Sequence, residues 1–395
     1  MTSRRPMARI LFNSVNPGSY RGEKGGGGSS FGVVDTNSAT TTFVDFDRFG
    51  IKGQVNWQPA LTFADGQRIV VLSIEAGICH VDSTQTNLWL YDMETEDLQP
   101  LMVGYRPVPY ASAVGLLPGE GRIITGHNQG GVNRHVVSDL DGGNVTEVPL
   151  PDDGFSYCLQ PSPDGERVVF HTSSRRGGYR ISVMGWDGSG LVEVAGDAAH
   201  LFFGPTWSPD GEWLCFADCH HHDDAEHMRA DLCVVRPDGA DFRRLTDDRS
   251  HWLSPVYGGP ETKGSGSEIP HWMPDGRWVT WVRLKPDSVT PWPLQENPTI
   301  DDHFNRDFRP EAARGGTDLC LLDAFSGEIR VVSENEPGVW DFRATPSTDG
   351  RQIAFCRSLT GERSELWLLD VPSGEARFLS AGYDEFGVDH PKWIG

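Results

Sequence analysis

The sequence predicts an all-β protein: a single seven-bladed β-propeller over residues 1–395, closed by pairing its C-terminal strand with its N-terminal strands. Three observations predict this fold: a repeated Asp-Gly turn, a second repeated turn after each first one, and two chain ends that complement each other as parts of one unit. The 46 Gly, 27 Pro and 13 Trp are typical of many short strands, tight turns and aromatic packing rather than of long helices.

The first turn separates two apolar stretches in FADGQRIVVLS, SPDGERVVFHT, SPDGEWLCFAD, MPDGRWVTWVR and STDGRQIAFCR, with LPGEGRIITGH as a degenerate copy. Alternating apolar residues after an Asp-Gly turn predict a β-hairpin. A second turn follows each first one, as in NLWLYDMETEDLQPL and ELWLLDVPSGEARFL, and predicts another hairpin. Each unit therefore holds the four antiparallel strands of one propeller blade.

The second turns predict the size of the ring. They occur at seven places, with a spacing of 47 residues among the first three and between the last two: Asp45, Asp92, Asp139, Asp187, Asp238, Asp323 and Asp370. The seventh blade is predicted to combine residues 385–395 with residues 7–48. An open solenoid, the alternative, would leave an unpaired strand edge at each end.

Three stretches break the repeat and are predicted to be loops: residues 16–30, 247–270 and 284–316. Long ordered loops on a rigid scaffold usually shape a binding face. For the Gly-rich stretch 16–30, a disordered tip is the alternative. It is not followed by a helix pattern, so it is not interpreted as a phosphate-binding loop.

Charge and cysteine content predict the setting of the protein. A formal net charge of −22 argues against a nucleic acid or an anionic membrane as partner. The seven cysteines are scattered and odd in number, which predicts buried, reduced thiols. Since no signal peptide or membrane-spanning stretch is found, we expect a soluble cytoplasmic protein, and its oligomeric state is left open.

The innermost strand of each blade is expected to line a central channel, so the residues before each first turn are candidate ligand contacts. These residues are Trp57, Gln58, Tyr157, Gln160, Phe203, Trp207, Glu268, His271, Asp341, Arg343, Asp389 and His390. Arg134, Arg175 and Arg176 add guanidinium groups, which bind carboxylates in a bidentate manner. With His127, His135 and His171, they predict one face of the ring that is rich in His and Arg. Polar residues satisfied by ordered water in an inert channel are the alternative.

A second cluster, CHHHDDAEHMRAD, occupies residues 219–231. Its imidazole and carboxylate groups suit Mn, Zn or Fe(II), and His220 and His222 are candidate ligands. The spacing matches no strict metal motif, so a solvated loop remains the alternative.

The SPDG-type turns resemble the TolB-like propeller repeat over nearly all of the chain. Within that group, residues 204–283 and the terminal DHPKWIG are similar to oligogalacturonate lyases. The resemblance implies cleavage of uronate-containing oligosaccharides by β-elimination, with a divalent metal in the channel: Mn²⁺, with Ca²⁺ and Zn²⁺ as alternatives. It implies His390 as one ligand and His271 near another, offset by about two positions, with Ile269 at the matching place.

The leading hypothesis is therefore an oligosaccharide lyase acting on an acidic sugar. His271, His390 and Arg343 would be catalytic, and His271, His390, His220 and His222 would hold the metal. The substrate would be contacted by Arg175, Arg134, Trp57, Gln58, Tyr157 and Glu268. One alternative is a non-catalytic propeller that binds a protein or a glycan. Another is a glycoside hydrolase that uses paired acids such as Glu268 and Asp341.

Overall fold

The structure is a computed structural model that describes residues 8–14, 30–75, 86–102, 105–108, 111–119, 121–151, 154–173, 179–220, 229–253, 268–291, 309–382 and 387–394. These stretches consist almost entirely of strands and turns, so the predicted all-β class is confirmed. Their helical segments are short 3-10 turns: Asp47–Phe49, Ala111–Ala113 and Pro310–Ala312. None of the described helices is long and apolar enough to cross a membrane.

The strands follow one another in short antiparallel runs. In chain order they are β1 (Arg9–Ser14), β2 (Ser30–Asp35), β3 (Thr41–Val44), β4 (Gln54–Thr62), β5 (Arg68–Glu75), β6 (Thr86–Asp92), β7 (Leu98–Leu101), β8 (Val114–Leu116), β9 (Arg122–Gln129), β10 (Val132–Asp139), β11 (Thr146–Pro149), β12 (Phe155–Pro161), β13 (Arg167–Ser173), β14 (Tyr179–Gly185), β15 (Val192–Ala195), β16 (His200–Trp207), β17 (Leu214–His220), β18 (Arg229–Val235), β19 (Arg243–Arg244), β20 (His251–Trp252), β21 (Trp278–Leu284), β22 (Thr317–Asp323), β23 (Ile329–Ser333), β24 (Val339–Pro346), β25 (Gln352–Leu359), β26 (Glu365–Asp370), β27 (Glu375–Ser380) and β28 (Val388–Ile394).

The strands pair mainly with their neighbours along the chain. β4–β7, β8–β11 and β24–β27 each form a four-stranded sheet, and β12–β23 form a twelve-stranded one. Within the twelve-stranded sheet, β14 and β16 meet through a single parallel pair, Tyr179 and Leu201. β28 joins β1, β2 and β3 in a sheet of order β28-β1-β2-β3, so the C-terminal and N-terminal strands share one sheet.

The repeated Asp-Gly turn depends on its glycine. Five of these glycines have φ between 67° and 76°, a left-handed conformation that residues with a Cβ rarely adopt: Gly66, Gly165, Gly211, Gly276 and Gly350. In one copy, the Ser162 hydroxyl donates to Asp164 at 2.5 Å. The Gly165 N–H donates to the Ser162 carbonyl at 2.9 Å. The turn residues therefore satisfy each other's hydrogen bonds and start the next strand in a defined register.

The apolar core lies between successive sheets. Trp252 of β20, for example, packs on Trp340 and Phe342 of β24, with ring centroids 5.2 Å and 5.7 Å apart. The six described cysteines are also buried and form no disulfide with one another, as predicted: Cys158, Cys215, Cys219, Cys233, Cys320 and Cys356. Cys79 lies outside the described residues.

Tryptophan side chains connect the first strands of successive units. Each indole N–H donates to a backbone carbonyl on the neighbouring strand: Trp207 to Gln160 at 2.9 Å, Trp272 to Thr206 at 3.2 Å and Trp393 to Thr345 at 2.9 Å. A buried indole N–H needs such an acceptor. These bonds therefore place the first strands of neighbouring units side by side.

Parts of the three predicted loops are described. Residues 16–29, 254–267 and 292–308 lie outside the described part of the chain. The predicted loop 247–270 contains β20, a two-residue strand that pairs with β18 and β21 and is too short to interrupt the sequence pattern visibly. In the predicted loop 284–316, Val289 and Arg314 form a β-bridge.

Candidate site on the bulged strands

Four first strands, β12, β16, β24 and β28, share a β-bulge at an equivalent place, and we call them the bulged strands. Each bulge contains a residue in the left-handed region: Cys158 (φ 53°), Gly204 (φ 60°), Arg343 (φ 58°) and His390 (φ 48°). For a residue with a Cβ this conformation costs roughly 1–2 kcal/mol. A bulge redirects the side chain it carries, and strain of this kind concentrates at functional sites. The left-handed conformation of Arg343 and His390 therefore makes these two residues candidates for a functional site.

Arg343 lies between two carboxylates. Its Nε donates to Asp389 Oδ1 at 2.9 Å, and its Nη1 is 3.8 Å from Glu268 Oε2. All three residues are almost fully buried. The three residues come from three different units of the repeat, so only the assembled fold brings them together.

Glu268 supports the bulge that carries Arg343. Its two carboxylate oxygens accept the backbone N–H groups of Arg343 at 2.8 Å and of Ala344 at 3.3 Å. Burial raises the pKa of Glu268 to about 7, although the neighbouring Arg343 charge and the backbone N–H donors act in the opposite direction. Glu268 therefore faces the protein backbone rather than an open space.

Asp389 and His390 form a second buried pair next to Arg343. His390 Nδ1 lies 2.9 Å from Asp389 Oδ2, and the backbone N–H of His390 donates to Asp389 Oδ1 at 2.9 Å. Burial alone would raise the pKa of Asp389, but the charges of His390 and Arg343 outweigh it and hold that pKa at about 2. The His390 side chain is 35% exposed, so it is the member of this group that reaches open space.

His271 and Lys392 complete what we call the bulge cluster: Glu268, His271, Arg343, Asp389, His390 and Lys392. Burial, assisted by the charges of Lys392, Arg343 and His390, lowers the pKa of His271 to about 4. Burial also lowers the pKa of Lys392 to about 8. Lys392 Nζ donates to the backbone carbonyls of Ala60 at 2.6 Å and Pro59 at 3.3 Å.

Sequence reasoning missed Lys392. A signal exists in the repeat, because Lys392 occupies the place of Thr206 and Thr345, two residues after the left-handed residue of each bulge. Those hydroxyls donate to a proline carbonyl of the next unit, Thr206 to Pro270 at 2.9 Å and Thr345 to Pro391 at 3.1 Å. Lys392 makes the same connection with a charged group.

Other predicted contacts lie elsewhere. Trp57 is a core residue, stacked on Phe46 with ring centroids 4.4 Å apart. Gln58 is buried on β4, opposite Leu72 of β5. Trp57 was predicted to face the channel because it precedes the turn, but its aromatic ring is more stable between sheets.

Tyr157 and Arg134 are also outside the bulge cluster. Tyr157 packs against the ring of His171, with centroids 3.9 Å apart. Arg134 is on β10, two strands away from the first strand of its sheet, where it donates to Gln129 at 3.2 Å. Arg175, Arg176 and His222 lie outside the described residues, and of His220 the structure describes the backbone at the end of β17.

The predicted His-rich face is not open to solvent. His127, His135 and His171 are buried, and burial lowers the pKa of each to about 3. They are neutral packing residues: the His135 ring, for example, contacts Phe170 at 4.5 Å between centroids. Alternation along a strand does not distinguish an imidazole in a core from one in a channel.

Asp341 and Glu268, the paired acids of the hydrolase alternative, are both buried and hydrogen-bonded within the protein. Asp341 is fully buried and receives bidentate hydrogen bonds from Arg357, at 2.7 Å to each oxygen. Ser333 and Asn335 donate to it as well, at 2.9 Å and 2.7 Å. Glu268 is occupied by backbone N–H groups. Neither carboxyl is placed to protonate a leaving group, so the structure disfavours this alternative.

The metal implied by the resemblance does not fit the described residues. Among them, no group of three His, Cys, Asp or Glu side chains could hold an ion. Both carboxylates of the bulge cluster are engaged by Arg343 or by backbone N–H groups. Two fixed cations, Arg343 and Lys392, act on His271, and a further cation there would be repelled.

Comparison with known proteins finds one curated relative that matches part of the chain. No protein-family model matches the chain. An uncharacterized protein of Agrobacterium fabrum (strain C58) is 31% identical over 155 residues, which cover 38% of this chain and 46% of that protein. The chain therefore matches less than half the length of that relative.

Two solved structures align along most of the chain. An oligogalacturonate lyase in complex with manganese shares 13% identity at a TM-score of 0.53, over 82% of this chain and 76% of its own. TolB from Acinetobacter baumannii shares 13% identity at a TM-score of 0.49, over 98% of this chain and 66% of its own. At such identities the likeness concerns the fold. In fold, the chain is similar to the oligogalacturonate lyases.

Proposed function

We propose that the sheets close into a seven-bladed β-propeller, with the twelve-stranded sheet supplying three of the blades. The single parallel pair between β14 and β16 supports a blade boundary there. The pairing of β28 with β1, and the Lys392 bonds from β28 to β4, support closure between the chain ends. β8 lies beside both β4 and β12, which supports continuity through the remaining arc.

We propose that the protein is a lyase that cleaves uronate-containing oligosaccharides by β-elimination at the bulge cluster. The observation that carries this proposal is the convergence of Arg343 and His390, each on a strained bulge, with the charged Lys392 and the imidazole of His271 beside them. Cationic groups in a poorly solvated site bind a carboxylate strongly. The fold likeness to an oligogalacturonate lyase supports the same substrate class.

The chemistry follows from these groups. Arg343 and Lys392 would neutralise the uronate carboxylate and stabilise the charge that develops as the adjacent C–H loses its proton. His390 would accept that proton: its Nδ1 faces Asp389, which orients the ring and leaves Nε2 as the basic atom. The C–H electron pair forms the new C=C bond while the glycosidic C–O bond breaks. The oxygen leaves with the C–O bonding pair and takes up a proton from water. His271, neutral at pH 7, would hydrogen-bond the sugar.

An assay for the unsaturated product from oligogalacturonate tests this proposal. We expect His390→Asn to lower kcat about 100-fold, because general-base catalysis contributes at least that much, and His271→Ala to raise KM. Asn tolerates the left-handed conformation of position 390, so its backbone is preserved. Undiminished turnover in both variants would remove the site assignment. Binding without product would indicate a non-catalytic carbohydrate-binding propeller.

A chelator separates this site from the manganese-dependent chemistry that the resemblance implies. Since the described residues do not fit an ion, we expect full activity after exhaustive treatment with EDTA. Activity that is lost with EDTA and restored by Mn²⁺ would contradict this expectation. It would then point to ligands such as His220 and His222, whose side chains lie outside the described residues.

A further inference from the structure

We propose that the bulge cluster takes up a ligand carboxylate together with a proton, and that Glu268 is the group that accepts the proton. This inference rests on the proposed binding of uronates. It assigns Glu268 a positioning and charge-balancing role rather than the substrate contact that the sequence suggests.

Arg343 is surrounded by more than one negative charge. One guanidinium faces two carboxylates, Asp389 at 2.9 Å and Glu268 at 3.8 Å. When both acids are ionised, they exceed its single positive charge by one, and the positive charge of Lys392 brings the sum of these four groups to zero. A ligand carboxylate brought to Arg343 would be a third anion around it. Buried like charges at such distances repel strongly, so one of the three carboxyl groups gains by protonation.

The surroundings identify which carboxyl group takes the proton. Asp389 receives the short Arg343 Nε bond, the His390 backbone N–H and the close approach of the His390 ring. Glu268 has the longer ion pair and two backbone donors, and it is 1% exposed. Burial puts the pKa of Glu268 at about 7, while that of Asp389 is about 2. Glu268 therefore gives up its charge at far lower cost.

Three titratable or charged groups of the described residues act on Glu268: Arg343 on β24, Cys356 on β25 and Asp389 on β28. Protonation leaves Glu268 with a carbonyl oxygen that can still accept the Arg343 N–H, so the bulge keeps its main support. The loss of one negative charge raises the potential at Arg343 without moving the backbone.

Calorimetry with digalacturonate, in two buffers of different ionisation enthalpy at about pH 7.5, counts the protons taken up on binding. We expect the wild-type protein to take up a substantial fraction of a proton and to bind more weakly, by up to tenfold per pH unit, as pH rises above about 7. Glu268→Gln, permanently neutral, is expected to bind at least as tightly and to lose this uptake. Lys392 titrates nearby and is itself proposed to contact the carboxylate, so Lys392→Met is expected to bind digalacturonate more weakly and to keep the Glu268 uptake per ligand bound.

The outcomes separate the two proposals. Wild-type binding without proton uptake, or equal uptake in Glu268→Gln, overturns the coupling and leaves uronate binding in place. No binding of digalacturonate by the wild-type protein at either end of the pH range overturns both. If Glu268→Gln does not fold, the proton count of Lys392→Met decides, because that variant keeps Glu268 and lacks the titrating lysine.

Discussion

Two buried Arg–Asp pairs that both involve strand β24 differ in what surrounds them. Arg357 of β25 binds Asp341 of β24 with two hydrogen bonds of 2.7 Å, and Ser333 and Asn335 complete the acceptor capacity of that carboxylate. Arg343 of β24 binds Asp389 of β28 with one bond of 2.9 Å, on a left-handed bulge beside His390. We call these the closed pair and the strained pair.

The difference separates two uses of a buried ion pair. The closed pair has regular backbone, a bidentate geometry and uncharged neighbours that complete its hydrogen bonds, which is how a buried salt bridge is stabilised. The strained pair stores backbone strain and lies beside titratable groups that reach open space. The same bulge recurs in β12 and β16, so the feature particular to this pair is the arginine that the bulge carries. The strained pair, with His390 partly exposed beside it, is therefore the one assigned to the proposed site.

The largest expected effect concerns the closed pair. Arg357→Met removes the bidentate partner of a fully buried carboxylate, so we expect the free energy of unfolding to fall by about 3–5 kcal/mol. Urea denaturation monitored by tryptophan fluorescence measures this. Digalacturonate affinity of the folded protein should stay unchanged. A variant that keeps its stability but loses affinity would contradict the distinction between the two pairs.

The strained pair is expected to show the opposite profile. Arg343→Met removes the group proposed to bind the substrate carboxylate, so we expect kcat/KM to fall about 100-fold, which corresponds to about 3 kcal/mol. Without the Arg343 charge the pKa of Glu268 rises further, so Glu268 becomes protonated and neutral. This protonation offsets part of the stability that is lost with the ion pair. Steady-state kinetics and urea denaturation together test this. An effect on stability alone would make this pair structural as well.

The smallest expected effect is the pH-dependent contribution of the buried His135 to stability. The pKa of His135 is about 3 in the folded protein, below its ordinary 6.5, so the unfolded chain binds the proton first. Its contribution to stability is intact above pH 6.5 and is lost as pH falls from 6.5 towards 3. We therefore compare the free energy of unfolding of His135→Leu with that of the wild-type protein. The variant minus wild-type difference should be about 1.4 kcal/mol larger at pH 5.5 than at pH 8. Equal differences at both pH values would show that His135 is already protonated or exposed.

Much of the fold could be predicted from the sequence, because its signals are local. The Asp-Gly turns require a left-handed glycine, and the apolar alternation after them has the period of a strand. The complementarity of the two ends also follows from counting strands, and β28 does pair with β1. β20 escaped prediction because two residues carry no periodicity.

The proposed site could be predicted from the sequence only in part. His271, Arg343, Asp389 and His390 were identified because they precede the first turn of a unit. Trp57 satisfied the same criterion and is a core residue, since position along a strand does not reveal which face a bulge will present. Lys392 can be found by aligning the repeats with one another, because it occupies the position of Thr206 and Thr345. A search for known motifs does not make that comparison.

The sequence by itself determined the all-β class, the repeated turns and the residues that enter the first strands, since each depends on neighbours within a few positions. The tertiary structure alone decided that β12, β16, β24 and β28 bulge at equivalent places, and that two of the left-handed residues are Arg343 and His390. Neither residue prefers that conformation by itself. The pairing with the next strand and, for Arg343, the Glu268 carboxylate 75 positions away hold the bulge, and such contacts exist only in the folded chain.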